Sequence, residues 1–211
     1  MAVVNGTISA TADDCQIYWT GSAWTKYDGT VLWYGKGNDK LNFGILRFTL
    51  DAAIPLGSVV TSAYLSMYGS SSVSVTEAWL HVQDSADAPA TVDAADRPSW
   101  VESGDITTYP TTQEGAGAGH WTGTWVTASW NSIEIASLLQ HLVDEFGLAS
   151  GAHVVVFISG DTTEGTSDEN GWEGYESANK ATLIISYTAA GQQPGGGAAD
   201  DRFRFRPSQR V

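Results

Sequence analysis

Between Gly44 and Leu50, Leu46, Phe48 and Leu50 alternate with Ile45, Arg47 and Thr49, the period of a half-buried strand. The same period returns at Ala63, Leu65 and Met67 against Tyr64, Ser66 and Tyr68. It returns again in Trp79–Gln83, which points Leu80 and Val82 inward and His81 outward. Thr182–Tyr187 closes the series with Leu183, Ile185 and Tyr187 on one side. Val154-Val155-Val156-Phe157-Ile158 is apolar on both faces, which predicts a central strand covered on both sides. Clusters of Gly, Asp, Ser and Pro separate these segments. One stretch changes period. Ile135, Leu138, Leu139, Leu142 and Phe146 recur at helical spacing, with Gly147 as a stop, and predict one short amphipathic helix against the end of a sheet. Short strands, one helix and no βαβ alternation predict an all-β fold, an antiparallel two-sheet jelly-roll sandwich.

The 211 residues suffice for one such domain of roughly 190 residues and a tail. Only 16% of residues are charged, while 21 Ser, 21 Thr, 23 Gly and 9 Trp give the surface chemistry of an all-β extracellular or virion domain. A net charge of −14 argues against a nucleic-acid partner. No apolar run approaches the roughly 18–20 residues that span a bilayer, so no membrane role is expected. Cys15 stands alone, which excludes an intrachain disulfide and a Cys-based metal cluster. Met1–Gly6 has neither a basic nor an apolar leader region, so the expected readings are a protein folding in the cytoplasm or a piece of a secreted one.

Charge divides the chain. Residues 1–199 carry 22 acids and 6 bases, whereas residues 200–211 carry 2 acids and 4 bases. The expected organisation is a domain over residues 1–188, a Gly/Pro-rich linker over 189–199 and a basic Arg/Phe interaction tail over 200–211. In an extended tail, Phe203 and Phe205 would lie on one face and Arg202, Arg204 and Arg206 on the other. That pattern suits addition to a partner's sheet edge, and a solvated, disordered terminus is the plainer reading.

Candidate chemistry is sparse. No nucleophile elbow, zinc-binding helix motif or phosphate loop occurs, no carboxylate pair is singled out, and no catalytic residue is assigned. His81, His120, His141 and His153 are isolated and read as surface or rim residues. The glycines of 115–119 read as a flexible loop. Trp19, Trp24, Tyr27, Trp33 and Tyr34 crowd an early segment, either as a platform for sugar rings or as packing in a sandwich end or subunit interface. The acidic stretch 161–171 reads as a loop, and its Asp161, Glu164 and Asp168, with Asp13 and Asp14 nearby, form a candidate calcium site or simply a solvated surface. Calcium is the one cofactor considered. Cys15 reads as a small buried or half-buried residue without a reactive thiolate.

The order of segments resembles the DNRLRE-type, carbohydrate-binding-module-like jelly-roll family. Ile8–Asp14 resembles its opening, Ile45–Leu50 its Leu-Arg-Phe strand, and Ile54–Leu65 its hairpin before the next strand. Ile135–Phe146 is similar to its helical segment, with Phe146 where the family has Trp, and Gly174–Ser177 with Thr182–Tyr187 is similar to its closing strand. The resemblance spans roughly residues 7–188 and departs most over 85–132. It implies a jelly roll and a non-enzymatic role, since members occur in phage virions and in secreted or surface carbohydrate-active proteins. The leading expectation is a structural virion protein, a capsid decoration or cement protein or a tail appendage. Its expected partners are the major capsid protein, tail proteins or further copies of itself. The alternative is an extracellular carbohydrate-binding module taking a host polysaccharide.

Overall fold

The computed structural model describes residues 1–20, 22–37, 40–72, 77–89, 119–160 and 167–191. Twelve strands and one helix follow in order. They are β1 (Ala2–Thr7), β2 (Asp14–Trp19), β3 (Trp24–Tyr27), β4 (Val31–Gly37), β5 (Lys40–Leu50), β6 (Val59–Ser72), β7 (Glu77–Val82), β8 (Gly119–Thr122) and β9 (Trp130–Glu134). Helix α1 (Ala136–Glu145) comes next, then β10 (His153–Ser159), β11 (Ser167–Glu173) and β12 (Thr182–Thr188). A short 3-10 turn, Thr11–Asp13, separates β1 from β2.

The all-β, antiparallel character with one short helix is as expected, but the strands do not divide into two separate sheets. All twelve belong to one hydrogen-bonded sheet, with the order β1-β12-β6-β11-β4-β5-β10-β7-β8, β9 on β6, β2 on β5 and β3 on β2. Two long strands explain the continuity. The 11-residue β5 pairs with β4 through Lys40–Asn42, with β2 and β10 along its middle, and with β1 at Thr49 and Leu50. The 14-residue β6 takes β12 along its first half and β11 near its end, with β9 also paired to it. Each long strand therefore links partners that separate sheets would keep apart.

Alternation places the main core on the inner face. Leu46 and Phe48 of β5, Leu65 and Met67 of β6, Val156 and Ile158 of β10, and Leu183 and Ile185 of β12 enter one cluster with Leu32, Tyr34 and Trp172. α1 adds Leu138, Leu139, Leu142 and Val143 to it. Phe146 lies just outside the helix and is 38% exposed, so Val143 rather than Phe146 completes the buried stripe. Gln140 fastens the helix to the start of β6, accepting from the Val60 amide at 2.7 Å and donating to the Ser58 carbonyl at 3.0 Å. Gly147 ends the helix at φ +59°, and a Cβ there would meet the Leu56 backbone nitrogen at 2.7 Å, so glycine is required.

β10 is covered on both faces, as its unbroken apolar run predicts. Val155 and Phe157 leave the main core and join Cys15, Ile17, Ile45 and Ala88 in a second cluster. His81, expected to point outward, lies on this covered side. Its partner across the pair is Phe157, and it is buried. The strand's outer face is not a solvent face here, and burial pushes the imidazole below its ordinary pKa.

Candidate functional site

The early aromatic segment forms β2, β3 and β4 and splits by environment. Trp19 and Trp24 are half-buried with ring centroids 5.4 Å apart, and Trp24 lies 5.6 Å from Phe43. Trp24 also packs on the second cluster, and Tyr27 is exposed. Trp33 is half-buried on β4 and covers Gly171 of β11. Tyr34 is fully buried beside Trp125 and Trp172, and its hydroxyl accepts from Asn170 Nδ2 at 3.0 Å. A ring without exposed area cannot stack on an external sugar, so Tyr34 is a core residue. Beneath the segment runs a polar chain. The Trp33 amide donates to Gln16 Oε1, Gln16 Nε2 to Asn42 Oδ1, and Asn42 Nδ2 to Glu169, at 3.1, 2.7 and 3.1 Å. This chain satisfies the buried amides of Gln16 and Asn42 and fixes β2, β4, β5 and β11 relative to one another.

A second aromatic surface escaped the reading of the sequence. On the outward face of β6 and β9, Tyr68 and Trp130 meet edge to face at 5.6 Å, and Tyr64 lies two outward positions away on the same strand. Trp130 is 48% and Tyr64 44% exposed. The Ser66 and Ser132 hydroxyls meet at 2.9 Å between these rings. Ile184 pairs with Tyr64 and Asn5 in the next rows, so the face is hydroxyl-rich and dotted with apolar groups. The signal was the Tyr64-Ser66-Tyr68 alternation, whose outward members are aromatic.

The acidic candidates are not brought together. Asp13 is 3% exposed and already satisfied, since Arg47 Nη1 lies 2.7 Å from its Oδ1 and the Ser9 hydroxyl 2.6 Å from its Oδ2. Burial alone would raise its pKa, but Ser9 and Arg47 hold it below the ordinary value. Asp161 and Glu164 lie outside the described residues. Asp168 and Glu169, expected in a loop, stand on β11, paired with Lys36 and Gly35 of β4. The strand forms because Asn170 and Trp172 alternate inward, where Tyr34 receives the amide of Asn170. Asp14 is fully buried, and neither carboxylate oxygen meets a donor in hydrogen-bond geometry. Burial pushes its carboxyl up to about 7, opposed by the Tyr175 backbone and reinforced by the charges of Glu176, Asp13 and Asp28. Among the described residues no three His, Cys, Asp or Glu side chains form a ready metal cluster.

Cys15 is buried, and burial pushes its thiol up to about 12, so it is no nucleophile. His153 Nδ1 meets Asp87 at 2.7 Å, and His141 lies 3.5 Å from Asp84, both at the surface of the body. His153 and Asp87 stand beside an open groove of about 560 Å³ whose apolar wall includes Ile54, Leu56, Phe146 and Leu148. Ala190 passes close to Gly57 at the margin of this groove, where the described chain leaves the body. Gly119 begins β8, while residues 115–118 fall outside the described part, as do all five tail residues from Arg202 to Arg206. No helix among the described residues is long and apolar enough to cross a membrane. Neither a protein-family model nor a curated protein matches the chain, so the family resemblance rests on the motifs themselves.

Proposed function

We propose that the chain is a non-enzymatic structural module of a phage virion, decorating or cementing a capsid or sitting on a tail appendage, and held to its neighbours by the C-terminal tail. One observation carries this reading. β12 is hydrogen-bonded on both sides, to β1 and β6, and neither apolar cluster draws a described residue from beyond Ala189. Both edges of the last described strand are thus occupied, and the period-two pattern of the tail would offer Phe203 and Phe205 to a partner's apolar pockets, with Arg202, Arg204 and Arg206 meeting carboxylates. A capsid or tail protein or a second copy of this acidic body is the acceptor. The test is incorporation of the Phe203→Ala, Phe205→Ala double variant into the native particle. Loss of incorporation with an unchanged melting temperature is expected, and incorporation at the wild-type level sinks the reading.

A carbohydrate-binding module is the second reading, favoured by the exposed Trp130 against Tyr68 on a hydroxyl-rich face. Affinity electrophoresis through host polysaccharides distinguishes the two. Retardation of the wild-type chain that Trp130→Ala abolishes would put this reading first.

A further inference from the structure

After β12 the chain stays against the body for two more residues. Ala189 packs on the main core, and a Cβ placed on Gly57 would stand 3.7 Å from that of Ala190. Gly57 follows Leu56, which lines the open groove of about 560 Å³, so the described chain ends at Gly191 on the groove's margin. Ile54 and Leu148 line the same groove and hold its two walls together, their backbones exchanging two hydrogen bonds of 2.8 Å. Leu56 meets the chain at Gly147, next to Phe146, and these two side chains are 58% and 38% exposed. Apolar area is therefore left open there. The surrounding charge is of one sign. Asp87 lines the groove, Asp84 of the same segment lies 3.5 Å from His141 of α1, and Asp144 and Glu145 are exposed just before Phe146. No Lys or Arg stands among the lining residues.

The occupant that fits carries phenyl rings and cations together, and the chain holds one such segment. Arg202-Phe203-Arg204-Phe205-Arg206 begins eleven residues after Gly191. A Gly/Pro-rich chain of that length reaches roughly 20 Å on average and about 40 Å at full stretch. We infer that this segment docks in the groove of its own chain, its rings against Leu56 and Phe146 and its guanidiniums toward Asp84, Asp87 and Glu145. Tethering at the groove's margin favours the chain's own tail over a second copy, because a short linker acts as a millimolar concentration of the segment. The inference goes beyond the virion reading and does not depend on it. A partner's pocket then has to win the tail from the body, which keeps dilute copies from joining through it.

The experiment is limited trypsin digestion of the full chain, reading cleavage after Arg202 and Arg204 by mass spectrometry. The reference is a synthetic peptide of residues 196–211, which carries the same bonds without the body. At about 1 μM the wild-type chain is expected to be cut at least about threefold more slowly than the peptide, since cleavage tracks the undocked population. Proteolysis is the readout because a contact this weak hardly moves the melting temperature. Leu56→Ser with Phe146→Ser, on two exposed side chains, should bring the rate to that of the peptide. Asp84→Asn with Glu145→Gln, also exposed, should raise it as well and decides the matter if the first pair does not fold. Equal rates for wild-type chain and peptide overturn the inference. So does protection that survives in the folded variants, which would place the tail elsewhere. Protection that appears only as the chain is concentrated toward about 100 μM overturns it too, by assigning the groove to a second copy's tail. Particle incorporation is read separately. A tail cut as fast as the peptide leaves the virion reading standing, and a protected tail whose Phe203→Ala, Phe205→Ala variant still incorporates sinks that reading alone.

Discussion

Strands β10 and β12 are similarly apolar, yet the molecule treats them differently. β10 buries Val154, Val156 and Ile158 in the main core and Val155 and Phe157 in the second cluster. β12 buries Leu183, Ile185 and Tyr187, while Ile184 stays 41% exposed on the outer face. The difference lies in what covers the second face. Alongside β10 the segment after β7 continues the pairing, through Gln83 N–H to the Val155 carbonyl and Ala88 N–H to the His153 carbonyl, each at 3.0 Å, and brings Ala88 onto the second cluster. Arg47 adds to this, donating to the Ala88 carbonyl at 2.9 Å while pairing with Asp13. A polar frame thus borders an apolar patch, and among the described residues no such frame stands at Ile184. Hydrophobic content says that a face can be buried; the covering segment determines whether it is.

The largest effect should come from placing a charge on each strand's second face. Val155→Asp buries an unpaired carboxylate and should cost about 4 kcal/mol, enough to unfold the chain or nearly so. Ile184→Asp should change stability by less than about 1 kcal/mol. Urea denaturation of both variants checks the pair, and similar midpoints would remove the distinction.

Next in size is the frame itself. Arg47→Met keeps an apolar stem over the second cluster but leaves Asp13, only 3% exposed, without its counter-charge, at an expected cost of about 3 kcal/mol. Adding Asp13→Asn should restore part of that loss, because the uncompensated charge goes. A double variant no better than Arg47→Met would show that the guanidinium acts through the Ala88 carbonyl rather than through Asp13.

The neighbouring Asp14 gives a pH test. Its folded pKa is raised from 3.8 to about 7, chiefly by burial. The sign follows from linkage: the folded state holds the proton more tightly, so this contribution is full below about pH 4 and is lost as pH rises through about 7. In chelator, stability measured by urea melts should therefore decline between these values, and Asp14→Asn should flatten that decline. An equal slope in the two proteins would assign it to other groups.

Much of this architecture was legible because alternation records burial directly. β5, β6, β12 and the double-sided β10 stand in the hydrophobic pattern, and α1 in the change of period. β2 was not legible, since Asp14, Cys15, Gln16 and Ile17 are all buried and show no alternation. β11 looked like an acidic loop because the partner of its buried Asn170 Nδ2, the Tyr34 hydroxyl, lies 136 positions away. Asp13 and Asp14 are equivalent as letters. Ser9 and the placement of Arg47 on β5 make Asp13 a satisfied ion pair, while neither oxygen of Asp14 meets a donor in hydrogen-bond geometry. Single residues on a patterned strand are readable, but partners brought together by pairing register are not.

The smallest effect concerns Cys15 and asks whether the second cluster opens independently. Its members sit on β2, β5 and β10, with Ala88 from the segment after β7, and β5 and β10 also carry the main core, so the two clusters should melt together. With full burial and a thiol pushed up to about 12, Cys15 should give almost no reaction with a disulfide reagent at pH 8 in the native state. As urea rises, labelling should begin with the global transition and track the same midpoint. Labelling well below that midpoint would mean that the covering segment lifts off while the main core stays intact. The second face of β10 would then be a separately hinged layer, and the contrast with β12 would be one of degree.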